Sequence, residues 1–411
     1  MSTTYSARAG DTFETVARMR FGSEQHAPTI AHANPGISAP FVAGQAIFVP
    51  PDPGAPTDRV GNGDAHALNE VAITIDGVRY RQWETLRVTL VLDGVSEVLF
   101  RAPFDPDNAD ARRTFKPFTY KKMAITVGGS PLFTGVMVGV APSLTPEDEI
   151  VEVSGYATAG VLSDCTPPPD MDLEFNDASL GSLARALASP FGIPVTFEGP
   201  DVSLGDRVMP SPVDSIWESL SRLSAPRNRV WASTADGGIV CREVTGIGAP
   251  VARFAQGVPP LQAVAATFHP QQYFSHVTGV GVETVGAQGE SYTVTNTWLK
   301  GVLRPTAFRV TDIEGTEADV ETATTSKAGR MFGNMAAYTL TVASWSDDAG
   351  TLWGPNTTIT LIAPGAMVYK EYEFLIRSVD LERTPDSETA TLGVILPGAF
   401  NGRLPKALPW D

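Results

Sequence analysis

The sequence predicts a mainly β, multidomain protein, in which a small βααβ domain precedes two β-barrel domains that bracket a small α+β unit. Turn-forming residues are abundant, with 33 prolines and 38 glycines among 411 residues, while only 18% of residues are charged. Apolar and polar residues alternate from position 71 onward, and helical spacing is confined to a few segments. A chain of this length can bury several cores, so roughly two to four domains are expected.

Changes in composition and periodicity predict the domain boundaries. The predicted segments are a βααβ domain at 1–51, a Pro/Gly-rich linker at 52–69, a first barrel-like domain at 70–165, the α+β unit at 166–250, a second barrel-like domain at 251–402 and a C-terminal tail at 403–411. The linker begins with a proline-rich run, which is extended and semi-rigid in water. We therefore expect the first domain to be tethered to the body without packing deeply into it.

The first domain contains helix start and stop signals. Asp11 is predicted to N-cap the first helix, with Glu14 reaching back as in a capping box. Asn34 and Pro35 are predicted to end the second helix and to turn the chain toward a closing strand. Apolar residues at helical spacing mark the buried face of the first helix: Phe13, Val16, Ala17 and Phe21.

Alternating apolar residues predict short antiparallel strands in the first barrel-like domain. Asp76-Gly77 and Gly128-Gly129 each separate two such stretches and are strong two-residue hairpin signals. Regularly spaced short strands are typical of a barrel or a closed sandwich. The alternation identifies the strands but leaves their pairing order open.

Two helices and a hairpin make up the predicted α+β unit. The first helix is predicted from the spacing of Leu180, Leu183 and Leu187, and the second is predicted to begin with Ser211 as its N-cap. A glycine-containing turn at 236–238 separates the strands of the hairpin. Strands resume beyond residue 250, where one further helix is predicted over 319–335.

The motifs of the first fifty residues resemble a LysM domain and the small LysM-like tail-X proteins of phages. The matching motifs, in order, are Gly10-Asp11-Thr12, Asn34-Pro35 and Gly44-Gln45 before a closing strand. LysM domains commonly bind the N-acetylglucosamine backbone of peptidoglycan or chitin. The resemblance therefore implies a glycan groove near Gly10, Asp11, Thr12, Asn34 and Pro35. The other interpretation, a docking module without glycan affinity, is the one we favour.

The body of the chain, roughly residues 71–402, resembles the baseplate hub proteins of contractile-tailed phages, of the Mu-like late-control type. The resemblance lies in the order of short phrases, among them Ile75-Asp76-Gly77, Phe133-Thr134-Gly135, Leu162-Ser163-Asp164-Cys165, Gly350-Thr351-Leu352-Trp353 and Leu375-Ile376-Arg377. Such hubs are trimers, and the two barrel-like domains of each chain resemble tail-tube subunits. The resemblance implies a pseudo-sixfold ring that joins a hexameric tail tube to a trimeric central spike.

The same resemblance implies the partners and the location. The partners are two further copies of the chain, tail-tube or tube-initiator proteins, the central spike protein and neighbouring baseplate proteins. Peptidoglycan joins them if the first domain binds glycan. We expect a virion protein of the tail baseplate that is assembled in the host cytoplasm. Whether the particle is a phage or a phage-derived injection particle is left open.

Composition argues against several other classes. A net charge of −16 disfavours a nucleic-acid backbone as the main partner, because phosphate binding needs clustered Lys and Arg. No apolar run is long enough to span a bilayer, and we expect neither stable membrane insertion nor a secretory leader. Cys165 and Cys241 lie in different predicted elements and outside any Cys-x-x-Cys pair, so we expect free, buried thiols.

The sequence contains no recognisable catalytic, metal-binding or cofactor-binding motif. Its five histidines lack metal-ligand spacing, and the acidic clusters at 147–149 and 347–348 lie in polar turns, where carboxylates are usually solvated. We therefore predict a structural protein and no enzyme, with a LysM-targeted cell-wall hydrolase as the alternative, since a glycosidase needs only two acids. Dispersed tryptophans are expected to anchor cores or subunit interfaces: Trp83, Trp217, Trp231, Trp298, Trp345 and Trp353.

Overall fold

A computed structural model describes most of the chain. The described residues are 3–21, 27–32, 34, 36–49, 70–145, 149–244, 248–282, 289–313, 316–400 and 407–411. They form a mainly β, multidomain structure, which confirms the predicted fold class. The chain divides into two compact units, residues 1–67 and 68–411. The narrower domain boundaries within the second unit stay predictions.

The first unit has the predicted βααβ order. Its strands β1 (Thr3–Ser6) and β2 (Ala46–Val49) pair antiparallel, and α1 (Phe13–Phe21) and α2 (Ala27–His32) lie between them in the chain. Both helices and β2 contribute buried apolar residues, so this unit has a core of its own. The core residues are Ala7, Val16, Ala17, Ala27, Ile30, Phe41, Ile47 and Val49.

The start of α1 differs from the sequence prediction. The Thr12 hydroxyl accepts a hydrogen bond from the Thr15 N–H at 3.4 Å, and the Thr15 hydroxyl accepts one from the Thr12 N–H at 2.7 Å. Thr12 therefore caps the helix, in a reciprocal arrangement of the capping-box kind. The prediction of Asp11 as the N-cap, with Glu14 as its partner, is wrong by one residue.

The second unit begins with an antiparallel set of strands. They are β3 (Val71–Ile75), β4 (Val78–Tyr80), β5 (Thr85–Val91), β6 (Glu97–Pro103), β7 (Lys122–Val127), β8 (Ser130–Leu144) and β9 (Glu149–Ala157), with α3 (Ala109–Thr114) between β6 and β7. The predicted turns at Asp76-Gly77 and Gly128-Gly129 connect β3 to β4 and β7 to β8. All four turn residues have positive φ, as a two-residue hairpin of this kind requires.

The α+β unit follows. Its elements are α4 (Val161–Asp164), β10 (Phe175–Asn176), α5 (Leu180–Ala188), β11 (Val195–Phe197), β12 (Arg207–Val208), α6 (Ile216–Ser224), β13 (Val230–Ser233) and β14 (Ile239–Arg242). A separate core is formed mainly by α5, α6 and β14. The N-cap of α6 is Ser215, in a capping box with Glu218. The prediction of Ser211 as this cap is therefore wrong, because Ser211 lies before the helix.

The remaining elements complete the second barrel-like segment. They are β15 (Ala252–Ala255), β16 (Leu261–Phe268), β17 (His276–Val280), β18 (Ser291–Thr295), β19 (Pro305–Arg309), α7 (Glu317–Asn334), β20 (Ala336–Val342), β21 (Thr358–Ala363), β22 (Val368–Arg383) and β23 (Glu388–Ile395). Helix α7 agrees with the predicted helix but begins two residues earlier. Strands β18, β17 and β19 form a small separate sheet.

One large sheet joins the two barrel-like segments. In the described residues it has thirteen strands, in the order β16-β20-β23-β22-β5-β6-β9-β8-β7-β3-β4, with β21 paired to β22 and β15 paired to β21. The two segments meet where β22 pairs antiparallel with β5. The largest hydrophobic core contains residues from both segments.

The two segments share one strand order. Strands β5, β6, β8 and β9 follow one another in the chain, and their order in the sheet is β5-β6-β9-β8. Strands β16, β20, β22 and β23 have the corresponding order in the sheet, β16-β20-β23-β22. The hairpins β8–β9 and β22–β23 close with the pairs Leu144–Glu149 and Arg383–Glu388, so each has four connecting residues. In addition, each long strand pairs through its first part with the strand that precedes it in the chain. Strand β7 pairs with β8 in this way, and β21 pairs with β22.

A shared irregularity strengthens the match between the segments. A register shift directly precedes Gly139 in β8 and Ser378 in β22. After each shift a glycine lies opposite a serine, Gly139 opposite Ser154 and Gly393 opposite Ser378. A Cβ atom on Gly139 or Gly393 would lie 2.1 or 2.4 Å from the serine Oγ, so a side chain there would require the serine hydroxyl to rotate away.

The cap of α6 provides a direct test of the local structure. We expect Ser215→Ala to weaken α6 by about 1 kcal/mol, because the Glu218 N–H loses its acceptor. The measurement is amide hydrogen exchange in α6, which should become roughly fivefold faster. Ser211→Ala is the matched control and should leave exchange unchanged; equal effects of the two substitutions would contradict the assignment.

Candidate functional site

The β5–β22 junction joins the two matched segments into one surface. Residues 378–383 of β22 pair with residues 86–91 of β5. Val88 and Leu381 lie opposite each other, and both side chains are fully buried. Burial of such a side chain contributes about 1.5–3 kcal/mol, so apolar contact stabilises the junction in addition to the backbone ladder.

The other face of the junction carries a polar cluster. The Thr89 hydroxyl donates to Asp380 Oδ1 at 2.6 Å, and Arg87 Nη2 lies 3.1 Å from the same oxygen. The Asp380 side chain is 22% exposed and that of Arg87 53%, so the ion pair is partly screened by water and contributes little by itself. The cluster specifies the register, because a one-residue slip would move Thr89 to the opposite face.

Arg377 connects the irregular part of β22 to the loop after β5. Its guanidinium donates to both carboxylate oxygens of Asp93, at 3.3 and 3.0 Å, and to Asn334 Oδ1 at 3.2 Å. Asn334 is the last residue of α7. Arg377 therefore joins β22, the end of β5 and α7 through charge-assisted hydrogen bonds.

Arginines also connect the α+β unit to the second segment. Arg222 forms an ion pair with Asp312, and Arg330 of α7 donates to the Arg229 carbonyl oxygen at 3.2 Å. Burial lowers the pKa of Arg330 from its usual value, because a desolvated guanidinium loses hydration. Helix α7 thus lies between the large sheet and the α+β unit and contacts both.

The predicted LysM groove residues Gly10 and Asp11 lie in a turn of the first unit. Gly10 has a φ of +91°, which favours glycine, and its N–H donates to the Phe41 carbonyl oxygen at 3.0 Å. The Asp11 carboxylate accepts hydrogen bonds from the Arg8 N–H at 2.8 Å and from the Tyr5 hydroxyl at 2.7 Å. These two hydrogen bonds, chiefly the one from Arg8, lower the pKa of Asp11.

Thr12 and Asn34 also form hydrogen bonds inside the first unit. Thr12 caps α1, and the buried Asn34 donates from Nδ2 to the Ile30 carbonyl oxygen at 2.8 Å. Pro35 lies outside the described residues. Asp11, Thr12 and Asn34 therefore support turns and helix ends, and the glycan groove stays a prediction.

Other residues singled out in the sequence occupy structural positions. Cys241 is buried and Cys165 half-buried, and both are free thiols. Burial raises the pKa of the Cys241 thiol to about 12. Three tryptophans are buried, namely Trp231, Trp345 and Trp353. Three others are partly exposed and pack against a core, namely Trp83, Trp217 and Trp298.

In the described ranges, no cluster of three or more His, Cys, Asp or Glu side chains is placed to hold a metal ion. Asp347 accepts hydrogen bonds from the N–H groups of Ala349 and Thr351 and so supports a turn, while residues 147–148 lie outside the described ranges. No helix in the described part of the chain has both the length and the apolar content needed to cross a membrane.

The distinctive feature of this mainly β protein is a large sheet made of two segments with the same strand order. Comparisons with known proteins show what the chain is similar to. Residues 159–243 match the family model "Baseplate hub protein gp44-like, second domain". These residues include the separate core of the α+β unit. No match was found among the curated proteins.

Solved structures show where the fold recurs. The 43 kDa tail protein of prophage MuSo2 from Shewanella oneidensis is 22% identical, with a TM-score of 0.68 over 80% of this chain and 99% of that one. A tail protein from Neisseria meningitidis is 17% identical, with a TM-score of 0.68 over 81% and 98%. The prophage tail protein gp18 from Listeria monocytogenes is 10% identical, with a TM-score of 0.53 over 79% and 94%. About four fifths of the chain therefore has a fold found in phage tail proteins.

Sequence patterns did not identify the junction residues. Alternation of apolar and polar residues indicated a strand at residues 86–92, and apolar runs indicated strands near residues 375 and 392. These local patterns do not show that Thr89 contacts Asp380, which is 291 positions away in the chain. The signal available in the sequence was a polar residue between buried apolar ones in each strand. That signal is common to most half-buried strands, so it does not identify partners.

Acid stability of the first unit tests the role of Asp11. Because its pKa is lowered in the folded state, the carboxylate stabilises the unit above the unfolded pKa of about 3.9, and this contribution disappears as the pH falls through the lower folded value. We expect Asp11→Asn to flatten the pH dependence of thermal unfolding of this unit below about pH 4. Tyr5→Phe is the control and should retain most of the dependence, since the Arg8 N–H remains; an unchanged pH profile in Asp11→Asn would contradict the assignment.

Proposed function

We propose that this chain is a structural baseplate hub protein of a contractile phage tail, of the Mu-like late-control type. As a homotrimer, it joins the hexameric tail tube to the trimeric central spike. The match of residues 159–243 to a baseplate hub family and the fold shared with phage tail proteins support this role. The protein acts through its shape and contacts, without a catalytic site.

The observation that carries the proposal is the repeated strand order within one chain. Three copies of the chain contain six segments with the same strand order. These segments have two different sequences, and each sequence is present three times. A ring of this kind can contact a hexamer through features common to all segments and a trimer through features of one segment type. The junction between the segments is buried, so their relative orientation is set within each chain.

The proposed partners follow from this geometry. Tail-tube or tube-initiator proteins contact the pseudo-sixfold face of the ring, and the central spike protein contacts the threefold face. Neighbouring baseplate proteins surround the ring, and the protein is part of the virion after assembly in the host cytoplasm.

The first unit serves in this proposal as a docking module for a baseplate protein. The Asp11 carboxylate, the Thr12 hydroxyl and the Asn34 amide already form hydrogen bonds within the unit, which supports a structural role for the LysM-like motif. Peptidoglycan binding is the second candidate, and the βααβ order supports it.

The oligomeric state tests the hub assignment. In sedimentation equilibrium we expect the full chain to have three times the mass of one chain, and to bind the trimeric spike as one trimer to one trimer. A spike from an unrelated tail is the control. A chain that stays monomeric at every concentration, with and without the cognate spike, would contradict the hub assignment.

Binding to cell-wall sacculi distinguishes the two candidates for the first unit. We expect the full chain and a chain lacking residues 1–51 to pellet with purified sacculi equally poorly and to release no soluble fragments from them. Saturable pelleting that requires residues 1–51 would instead establish glycan binding. Release of fragments would favour the cell-wall hydrolase.

A further inference from the structure

A cavity of about 210 Å³ lies where the α+β unit meets the small sheet and helix α7. Its walls are the end of α6 with the turn that follows, strand β19 with the residues after it, and one side of α7. Arg309 and Lys327 line the cavity and are exposed, so it opens to solvent on their side. The cavity is separate from the β5–β22 junction.

The cavity is lined by four cationic side chains and one carboxylate. The cations are Arg222, Arg309, Lys327 and Arg330, and the carboxylate is that of Asp312. The chain as a whole has 46 Asp and Glu against 30 Lys and Arg, a net charge of −16. A concave surface lined by one sign of charge focuses the electrostatic potential. A local excess of cations in so acidic a chain is therefore typical of an anion-binding site.

The Asp312 carboxylate neutralises only one of these cations. One of its oxygens forms an ion pair with Arg222, and the other accepts a hydrogen bond from the Thr311 hydroxyl at 2.9 Å. Within the described ranges, the other three cations of the cavity form no ion pair with an acidic side chain. The cavity therefore holds positive charge that the chain itself does not pair.

Arg330 is the least exposed of these cations. Its Nη2 donates to the Arg229 carbonyl oxygen at 3.2 Å, and its Cζ lies 5.6 Å from the centre of the Phe400 ring. Its Nε is shielded from solvent and has no hydrogen-bond partner among the described residues. Asp93 attracts the guanidinium, but this carboxylate already forms an ion pair with Arg377. A desolvated cation without its own carboxylate costs free energy, which an anion bound nearby offsets.

The apolar part of the wall limits the kind of anion. Phe308, Val310 and Ala323 line the cavity, and the last two are buried. Sites for whole small molecules usually measure about 300–1,000 Å³, so a cavity of about 210 Å³ is too small for a nucleotide and suits a single side chain. A carboxylate on a short apolar stem can use both the cations and the apolar wall. A compact phosphate dianion would leave the apolar wall uncovered and would be repelled more strongly by Asp312.

We propose that this cavity binds a glutamate side chain presented by an acidic segment of a partner protein. The carboxylate lies among Arg309, Lys327 and Arg330, and the methylene groups of the glutamate lie against Phe308. The inference goes beyond the proposed hub role, since it assigns a recognition site and the chemistry of its ligand. The site does not require the trimer, because one chain supplies every residue that lines it.

Peptide binding to the full chain tests the proposal. The probe is a rhodamine-labelled peptide Ala-Glu-Glu-Leu-Ala, and the control peptide has glutamine in place of both glutamates. In fluorescence polarisation at low ionic strength we expect saturable binding of the glutamate peptide. The glutamine peptide should bind about tenfold more weakly, because its neutral amides accept weaker hydrogen bonds from cations. Absence of saturable binding of the glutamate peptide would overturn the proposal.

Substitutions of the exposed cations locate the binding site. Lys327→Met and Arg309→Met keep an apolar stem and remove the charge, and each should weaken binding of the glutamate peptide about fivefold. Lys370→Met is the matched control, because Lys370 is exposed in β22, lies outside the cavity and changes the net charge by the same amount. Equal effects of the three substitutions would overturn the proposal in favour of general charge attraction.

Combining the chain variants with the two peptides tests direct contact. With the glutamine peptide, Lys327→Met should have almost no further effect, because the interaction that it removes is already absent. Equal losses with both peptides would overturn the contact between Lys327 and the glutamate.

Competition with free anions identifies the ligand. Glutarate should displace the glutamate peptide at a lower concentration than inorganic phosphate does, because only glutarate has an apolar stem. Stronger displacement by phosphate would overturn the carboxylate assignment. Tighter binding of free glutarate than of the peptide would replace the partner segment by a small carboxylate.

These outcomes are distinct from those of the hub test. A chain that forms a trimer and binds the spike, but does not bind the glutamate peptide, supports the hub assignment and overturns the cavity site. A chain that binds the peptide in the predicted way but stays monomeric supports the cavity site and contradicts the hub assignment.

Discussion

Between β5 and β22, residues almost three hundred positions apart in the chain form one antiparallel ladder and bury Val88 against Leu381. Closing so long a loop costs conformational entropy, but that cost rises only slowly with loop length, so a buried ladder can offset it. The Thr89–Asp380 and Arg377–Asp93 contacts need this one register. The continuity of the large sheet, and the orientation of one segment relative to the other, depend on this pairing.

The α+β unit is positioned by the same region. A small core lies where both segments meet that unit, and it contains Leu92, Val230, Val244, Leu375, Ile395, Ala399 and Phe400. Helix α7 adds one hydrogen bond from Arg330 and a contact at its end through Asn334. The polar clusters of the second unit therefore join one structural element to another.

Most element types of this protein follow from the sequence alone, because their signals are local, although the short helix α3 was not predicted. Asp76-Gly77 and Gly128-Gly129 predicted tight hairpin turns, and both pairs have the positive φ values that such turns need. Helix starts were less well predicted, since several neighbouring Ser, Thr and Asp residues can act as caps. The choice depends on competing partners: Asp11 is engaged by Tyr5 and the Arg8 N–H, and Thr12 caps the helix.

Only the tertiary structure decided that the two β segments are matched and how they join. The corresponding stretches 137–144 and 376–383 agree in sequence at one position, Val140 and Val379. At each strand position a residue must suit the face of the sheet and the space available, and many residue types do so. The two segments therefore share a strand order without a repeat in the sequence. Strand partners, in turn, depend on which edges remain open once the rest of the sheet has formed. The β5–β22 junction, on which the proposed assembly depends, is therefore a property of the folded chain.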